Sequence, residues 1–140
     1  MTQPAVRLSG VSRRFRRTQA LDDLTLDIPT NAITGLLGRN GAGKTTLMSI
    51  IAGHDRPSTG SVEVFGVNPF EDAPTMSSIS FVRDNQRYPE DFTLRQVLEV
   101  APLFHAGWST DIAEHLVHGF RLPRKTAIKK LSRGQASSLG

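Results

Sequence analysis

Residues Gly38 to Thr45 read GRNGAGKT and have the spacing G-x-x-x-x-G-K-[ST]. Those residue types at that spacing suit the phosphates of a nucleotide. Glycines let successive backbone N–H groups turn inward and approach phosphate oxygens, and Lys44 can reach the β and γ phosphates. Thr45 offers a hydroxyl to Mg2+, and a helix beginning here points its positive end at the anion. At average residue frequencies, a chance match somewhere in a chain of this length has odds of roughly one in 200. A plain glycine-rich turn before a helix is therefore the weaker reading. A second short element, Leu131-Ser132-Arg133-Gly134-Gln135, has the look of a phosphate reader at a helix start.

Elements of the right kind flank the loop. In LTLDI the apolar residues Leu24, Leu26 and Ile28 alternate with Thr25 and Asp27, the period of a half-buried strand, and Pro29 and Asn31 close it as a turn. Ile33 to Gly38 is an almost continuous apolar run, which predicts a buried parallel strand feeding the loop. From Lys44 the period becomes helical, with Leu47, Ile50 and Ile51 on one side and Gly53 placed to end the helix. Val62 and Val64 alternate around Glu63 as a short strand after the turn RPSTG, and Ile79 to Val82 reads as another.

The second half reads as helical. Thr93 with Gln96 is a capping-box pattern, and Leu94, Val97, Leu98 and Ala101 form an apolar face that Pro102 is expected to interrupt. A further helix is expected after Ser109, with Ile112, Leu116, Val117 and Phe120 on its buried side. The pattern is that of an α/β nucleotide-binding core with a helical insertion.

With 140 residues, the chain is long enough for one domain or part of one. A hydrophobic content of 38% and a charged content of 21% are ordinary for a globular protein and exclude a low-complexity or disordered class. Without cysteine there is no disulfide framework and no thiolate metal site. No basic-then-apolar leader and no run of 18 apolar residues occurs, so any membrane link is expected to go through a partner. The net charge of +4 and the run SRRFRR, Ser12 to Arg17, raise nucleic acid as a partner. That reading is disfavoured, because the other basic residues are scattered and such runs are usually solvated faces.

The stretches ALDDLTLDIPTNAITGLLGRNGAGKTTLMSIIAG and RPSTGSVEVFG resemble the opening half of an ATP-binding cassette (ABC) domain, the motor subunit of ABC transporters. LSRGQ resembles that family's signature pentapeptide, and the resemblance covers nearly all of Ala5 to Gly140. It implies a P-loop NTPase core of ABC type, α/β, with an antiparallel β subdomain and a helical subdomain, incomplete at the C-terminus. The implied division is about 1–92 for the nucleotide-binding core, about 93–131 for the helical subdomain, and 131–140 for the signature and the start of its helix.

The resemblance also implies roles. Phe15 takes the place of the aromatic residue that stacks on adenine, where the family usually has tyrosine; stacking needs only the π face. Gly38, Arg39, Asn40, Gly41, Ala42, Gly43, Lys44, Thr45 and Thr46 become the phosphate loop, with Lys44 catalytic and Thr45 a Mg2+ ligand. In the family a glutamine helps bind Mg2+ and position the attacking water; an ungapped alignment puts Asp84 there, with Gln86 two residues later, and either could serve. Ser132, Gly134 and Gln135 would contact the ATP held by a second ABC subunit, head to tail, with Arg133 in place of the more usual glycine.

The family's acidic Mg2+-binding strand, catalytic glutamate and γ-phosphate-sensing histidine all follow the signature, so these 140 residues alone are expected to be inactive. His54, His105, His115 and His118 precede it and do not replace them. The implied activity is Mg-ATP binding and hydrolysis that drives substrate movement through a transmembrane permease. The protein would lie in the cytoplasm, peripheral on the inner face of the membrane. The alternatives are a soluble ABC-type ATPase acting on ribosomes or nucleic acid, or a non-catalytic nucleotide-binding fragment.

Overall fold

The computed structural model describes residues 3–83, 89, 91–105 and 107–131, so Asp84, Gln86, Ser132, Gly134 and Gln135 lie outside the described residues. The chain divides into two compact units, Met1–Phe81 and Val82–Gly140.

In the first unit β1 (Val6–Phe15) and β2 (Thr18–Ile28) form an antiparallel hairpin. After α1 (Lys44–Ile51) comes β3 (Thr59–Val64), which pairs antiparallel with the other edge of β1, giving the order β2-β1-β3. Val6, Leu8 and Val11 of β1, Leu21 of β2, Leu47 and Ile50 of α1, and Val62 and Val64 of β3 make one buried cluster. The alternation Val62/Val64 is thus a core strand face, as expected, and Leu24 and Ile28 pack partly buried against the same cluster. α1 ends as its sequence requires. Gly53 has φ 74°, its N–H donates to the Ile50 carbonyl at 3.1 Å, and the His54 N–H donates to the Ser49 carbonyl at 2.9 Å. This pair of bonds is a Schellman motif, which satisfies carbonyls the helix would otherwise leave open. A short helix, α2 (Ala73–Ser77), follows, capped by Asp72, whose side chain accepts from the Thr75 N–H.

Two expected strands are absent. Ile33 to Gly38 forms no ladder, with Ile33 and Leu37 fully exposed, and Ile79 to Val82 is likewise irregular. The apolar content was right for buried strands, but a strand is made by its neighbours' hydrogen bonds, and no described strand lies beside either run. Only Ile79 packs, partly buried, against the core.

The second unit holds α3 (Leu94–Phe104), α4 (Thr110–Gly119) and a 3-10 turn at Ile128–Lys130. Thr93 and Gln96 make the expected capping box, and Ser109 caps α4 through the Ile112 N–H. Pro102 does not end α3. The ring removes one N–H, and the helix runs two residues further to Phe104. The buried side expected for α4 is also reduced: Val117 is buried with Leu94 and Leu122, whereas Ile112, Leu116 and Phe120 are exposed. The periodicity made the helix amphipathic, but the described elements of the unit are too few to cover its whole apolar face.

Candidate nucleotide-phosphate site

The phosphate-loop residues occupy the turn leading into α1. Gly43 is the residue before the helix, in the left-handed region at φ 87°, and no side chain caps the first-turn N–H groups. Most helices fill that position with Ser, Thr, Asp or Asn; a glycine leaves the N–H groups open to an external acceptor. Gly41 is also left-handed, at φ 83°. The Ala42 N–H donates to the Arg39 carbonyl at 3.1 Å, which closes the turn. Gly38, Arg39, Asn40, Gly41, Ala42 and Thr45 are exposed, and Gly43, Lys44 and Thr46 are half-buried. The Thr45 hydroxyl therefore lies on the solvent side of the helix start.

Lys44 folds back over its own loop. Its Nζ donates to the Gly38 carbonyl and, at 2.7 Å, to the Arg39 carbonyl. The ammonium is thereby held at the mouth of the turn by two neutral acceptors. A phosphate oxygen, being anionic, would be a stronger acceptor for the same donor.

The loop is seated on the hairpin. A side-chain carbon at Gly43 would lie 2.2 Å from the Ala20 carbonyl oxygen and 2.9 Å from Leu21 Cδ2, so only glycine lets the loop approach β2 this closely. The register explains why that carbonyl points there. Arg13 pairs with Leu21 and Arg14 with Gln19, so β2 carries one extra residue, Ala20, and a bulge of this kind re-aims the backbone. Two residues away along β2, roughly 6–7 Å of strand, Thr18 pairs with Phe15 at the end of β1. Phe15 is 44% exposed. The structure thus brings the expected aromatic residue and phosphate loop onto one hairpin.

Two residues that the sequence reading did not single out join this group. The Arg13 guanidinium lies over the Phe15 ring, with Cζ 4.3 Å from the ring centroid. It also donates from Nε to Asp55 Oδ2 at 3.0 Å and from Nη2 to Asp55 Oδ1 at 2.9 Å. A signal for the first contact was present: residues i and i+2 of a strand share a face, and Arg13 and Phe15 are two apart. Asp55 comes from beyond α1, which no local pattern reveals. Arg14 in turn donates to Gln19 Oε1 at 2.8 Å, so two of the four arginines in SRRFRR are engaged in pairing.

A divalent ion has no ready-made cage here. Among the described residues no group of three or more His, Asp or Glu side chains could hold a metal. No described helix is long and apolar enough to cross a membrane.

Comparison with known proteins agrees with this geometry. A family model described as ABC transporter matches residues 21–140. The ribose import ATP-binding protein RbsA of Pseudomonas putida is 31% identical over 144 residues, covering 94% of this chain and 28% of that protein. The aliphatic sulfonates import ATP-binding protein SsuB 2 of Streptomyces avermitilis is 39% identical over 98 residues, 70% of this chain and 36% of that protein. The chain thus spans about a third of the length of these relatives. Among solved structures, an ATP-binding subunit of an ABC transporter superposes with a TM-score of 0.81 at 23% identity, covering 96% of this chain and 59% of that one. The fold is therefore that of an ABC-type ATPase, α/β, with its antiparallel sheet and helices.

Proposed function

The chain belongs to the ABC transporter family, and we propose that it binds Mg-ATP and forms part of the ATP-hydrolysing motor of a transporter. The observation that carries this reading is the loop from Gly38 to Lys44. Its helix start is uncapped, its lysine is held by replaceable acceptors, and it packs on the hairpin that ends in Phe15.

In this reading phosphate oxygens replace the Gly38 and Arg39 carbonyls on Lys44, and the first-turn N–H groups of α1 take the remaining charge. Bound Mg2+ would neutralise charge on the phosphates, with Thr45 as the protein ligand and Asp84 or Gln86 as the second candidate. Phe15 stacks on the adenine. Ser132, Gly134 and Gln135 act on the ATP of a second subunit docked head to tail, an arrangement to which the similarity to a dimeric ATP-binding cassette bound to ADP and Pi, TM-score 0.75, lends support. In the same reading about 1–92 serve as the nucleotide-binding core, about 93–131 as the helical subdomain, and 131–140 as the signature and the start of its helix.

The relatives carry names for import of a sugar and of sulfonates, solutes with little chemistry in common. A domain shared among such systems cannot itself be the solute reader, so a membrane permease selects the substrate while this protein works peripherally on the cytoplasmic face. With Arg13 and Arg14 engaged in pairing, no observation favours the nucleic-acid alternative.

The test is Lys44→Ala in the intact protein, titrated calorimetrically with ATP and with inorganic tripolyphosphate. Loss of the one formal charge that the loop directs at the phosphates should weaken both ligands at least about a hundredfold, taking roughly 3 kcal/mol for a charge-assisted contact. Unchanged affinity for either ligand would overturn the phosphate-loop assignment.

A further inference from the structure

The least exposed ion pair among the described residues joins Arg13 to Asp55, whose side chains are 22% and 24% exposed. The other pairs lie on more open surface. The contact is bidentate, and Asp55 Oδ1 also accepts the Arg56 N–H at 2.8 Å. The carboxylate is thus fixed by backbone just beyond the Schellman turn of α1, and it fixes the guanidinium in turn. An arginine that gives its edge to a carboxylate still has a flat face free, and here that face covers Phe15. Phe15 has no polar atom, so only packing can orient its ring. It stands at the hairpin end, with nearly half its surface open.

We propose that Arg13 is a positioning residue for the base of the nucleotide: clamped on Asp55, it covers one face of Phe15 and holds the ring so that the other face stacks on a purine. The inference rests on the reading of Phe15 as the adenine platform. The stack runs guanidinium, phenyl, purine, and Asp55 ties it to the C-terminal end of the helix whose N-terminal end receives the phosphates. A ring held in advance loses less side-chain freedom when the base arrives, and the cation is attracted by the electron-rich ring face. The effect belongs to the base alone. A ligand with phosphates and no base gains nothing from it.

That separation defines the experiment. Dissociation constants for ATP and for inorganic tripolyphosphate are measured with the intact protein and its Arg13→Met, Arg13→Lys and Phe15→Ala variants. Lysine retains a point charge that the Asp55 carboxylate takes, which preserves the fold contact and leaves no planar group over the ring. Both Arg13 variants should bind ATP about three- to tenfold more weakly, with tripolyphosphate affinity unchanged. Phe15→Ala should lose at least as much for ATP alone, and adding Arg13→Met to it should cost nothing more. If Arg13→Met does not fold, Arg13→Lys decides. Equal losses for both ligands, or undiminished ATP binding in Arg13→Lys beside a loss in Phe15→Ala, would overturn the positioning role while leaving Phe15 as the platform. A Phe15→Ala protein with unchanged preference for ATP over tripolyphosphate would overturn the platform and the positioning role together.

Discussion

The two units use apolar residues differently. In Met1–Phe81, three strands and α1 converge on a cluster of eight buried side chains. Among the described residues of Val82–Gly140, two helices and a turn bury Leu94, Val117 and Leu122 with Leu98 beside them, while Leu103, Phe104, Ile112, Leu116 and Phe120 stay exposed. The difference lies in how many directions the cover comes from: a sheet and a helix enclose a side chain, whereas two helices leave much of each one's circumference open. Phe15 and the loop before α1 belong to the better-packed unit. The loop before α1 is anchored by Leu47 and Ile50 below it, and Phe15 extends β1, whose Leu8 and Val11 are fully buried. Recognition of a polyanion needs donors held to a fraction of an ångström, and such a frame supplies that.

The comparison is broken most directly with matched isoleucines. Ile50 in α1 is 0% exposed and Ile112 in α4 is 63% exposed. In the intact protein Ile50→Ala should destabilise by about 2–5 kcal/mol, the range for truncating a buried aliphatic side chain. Ile112→Ala should stay within about 0.5 kcal/mol, as surface substitutions do. Urea denaturation of both variants beside the parent checks this, and equal losses would mean that the α4 face is covered in solution.

The sequence showed the parts of this arrangement that short-range spacing encodes. The glycine-rich turn into α1, the capping box at Thr93 and the glycine that ends α1 all depend on residues a few positions apart, and all three local structures form where their spacing put them. What depended on distant partners was not legible. Ile33 to Gly38 and Ile79 to Val82 have strand composition, but pairing is a property of neighbours. β1 escaped the alternation rule for a different reason: its buried residues run Val6, Leu8 and then Val11, because the register shift between Leu8 and Val11 flips the parity. The same limit hid Asp55, which lies 42 residues from Arg13 in sequence and at hydrogen-bonding distance in the fold.

A smaller effect sharpens the contrast within the second unit. Among the described residues of that unit the buried apolar side chains are Leu94, Val117, Leu122 and Ile128, so local hydrogen bonds carry a larger share of its order. The Thr93 hydroxyl accepts from the Gln96 N–H, and Gln96 Oε1 accepts from the Thr93 N–H at 2.9 Å. Thr93→Ala removes half of the box and should cost about 1 kcal/mol. Amide exchange should then accelerate in the first turn of α3 and remain unchanged in β1. Equal acceleration in both would show that the units open together.

The smallest effect expected is acid weakening of the second unit. A hydrogen bond from Lys129, then its charge, holds the Asp91 carboxyl below its ordinary range, and a hydrogen bond from Arg124 does the same for Glu114. Both carboxyls have folded-state pKa values below their unfolded ones. Their contribution is therefore present above the ordinary carboxylate range, near pH 4, and is lost as pH falls through the lowered folded values. Both pairs are at the surface, so water and salt screen them and the total shift is modest. Trp108, the single tryptophan of the chain, lies in this unit and reports its unfolding by fluorescence. The urea midpoint read from Trp108 should fall between pH 5 and about pH 3, less steeply in high salt. Replacing both carboxylates, Asp91→Asn with Glu114→Gln, should flatten that fall, because the replaced groups no longer titrate. A midpoint that falls as steeply in the double variant would trace the acid sensitivity to other groups and remove these two ion pairs as what ties the turn at Ile128–Lys130 and the segment after α4 to the rest of the unit.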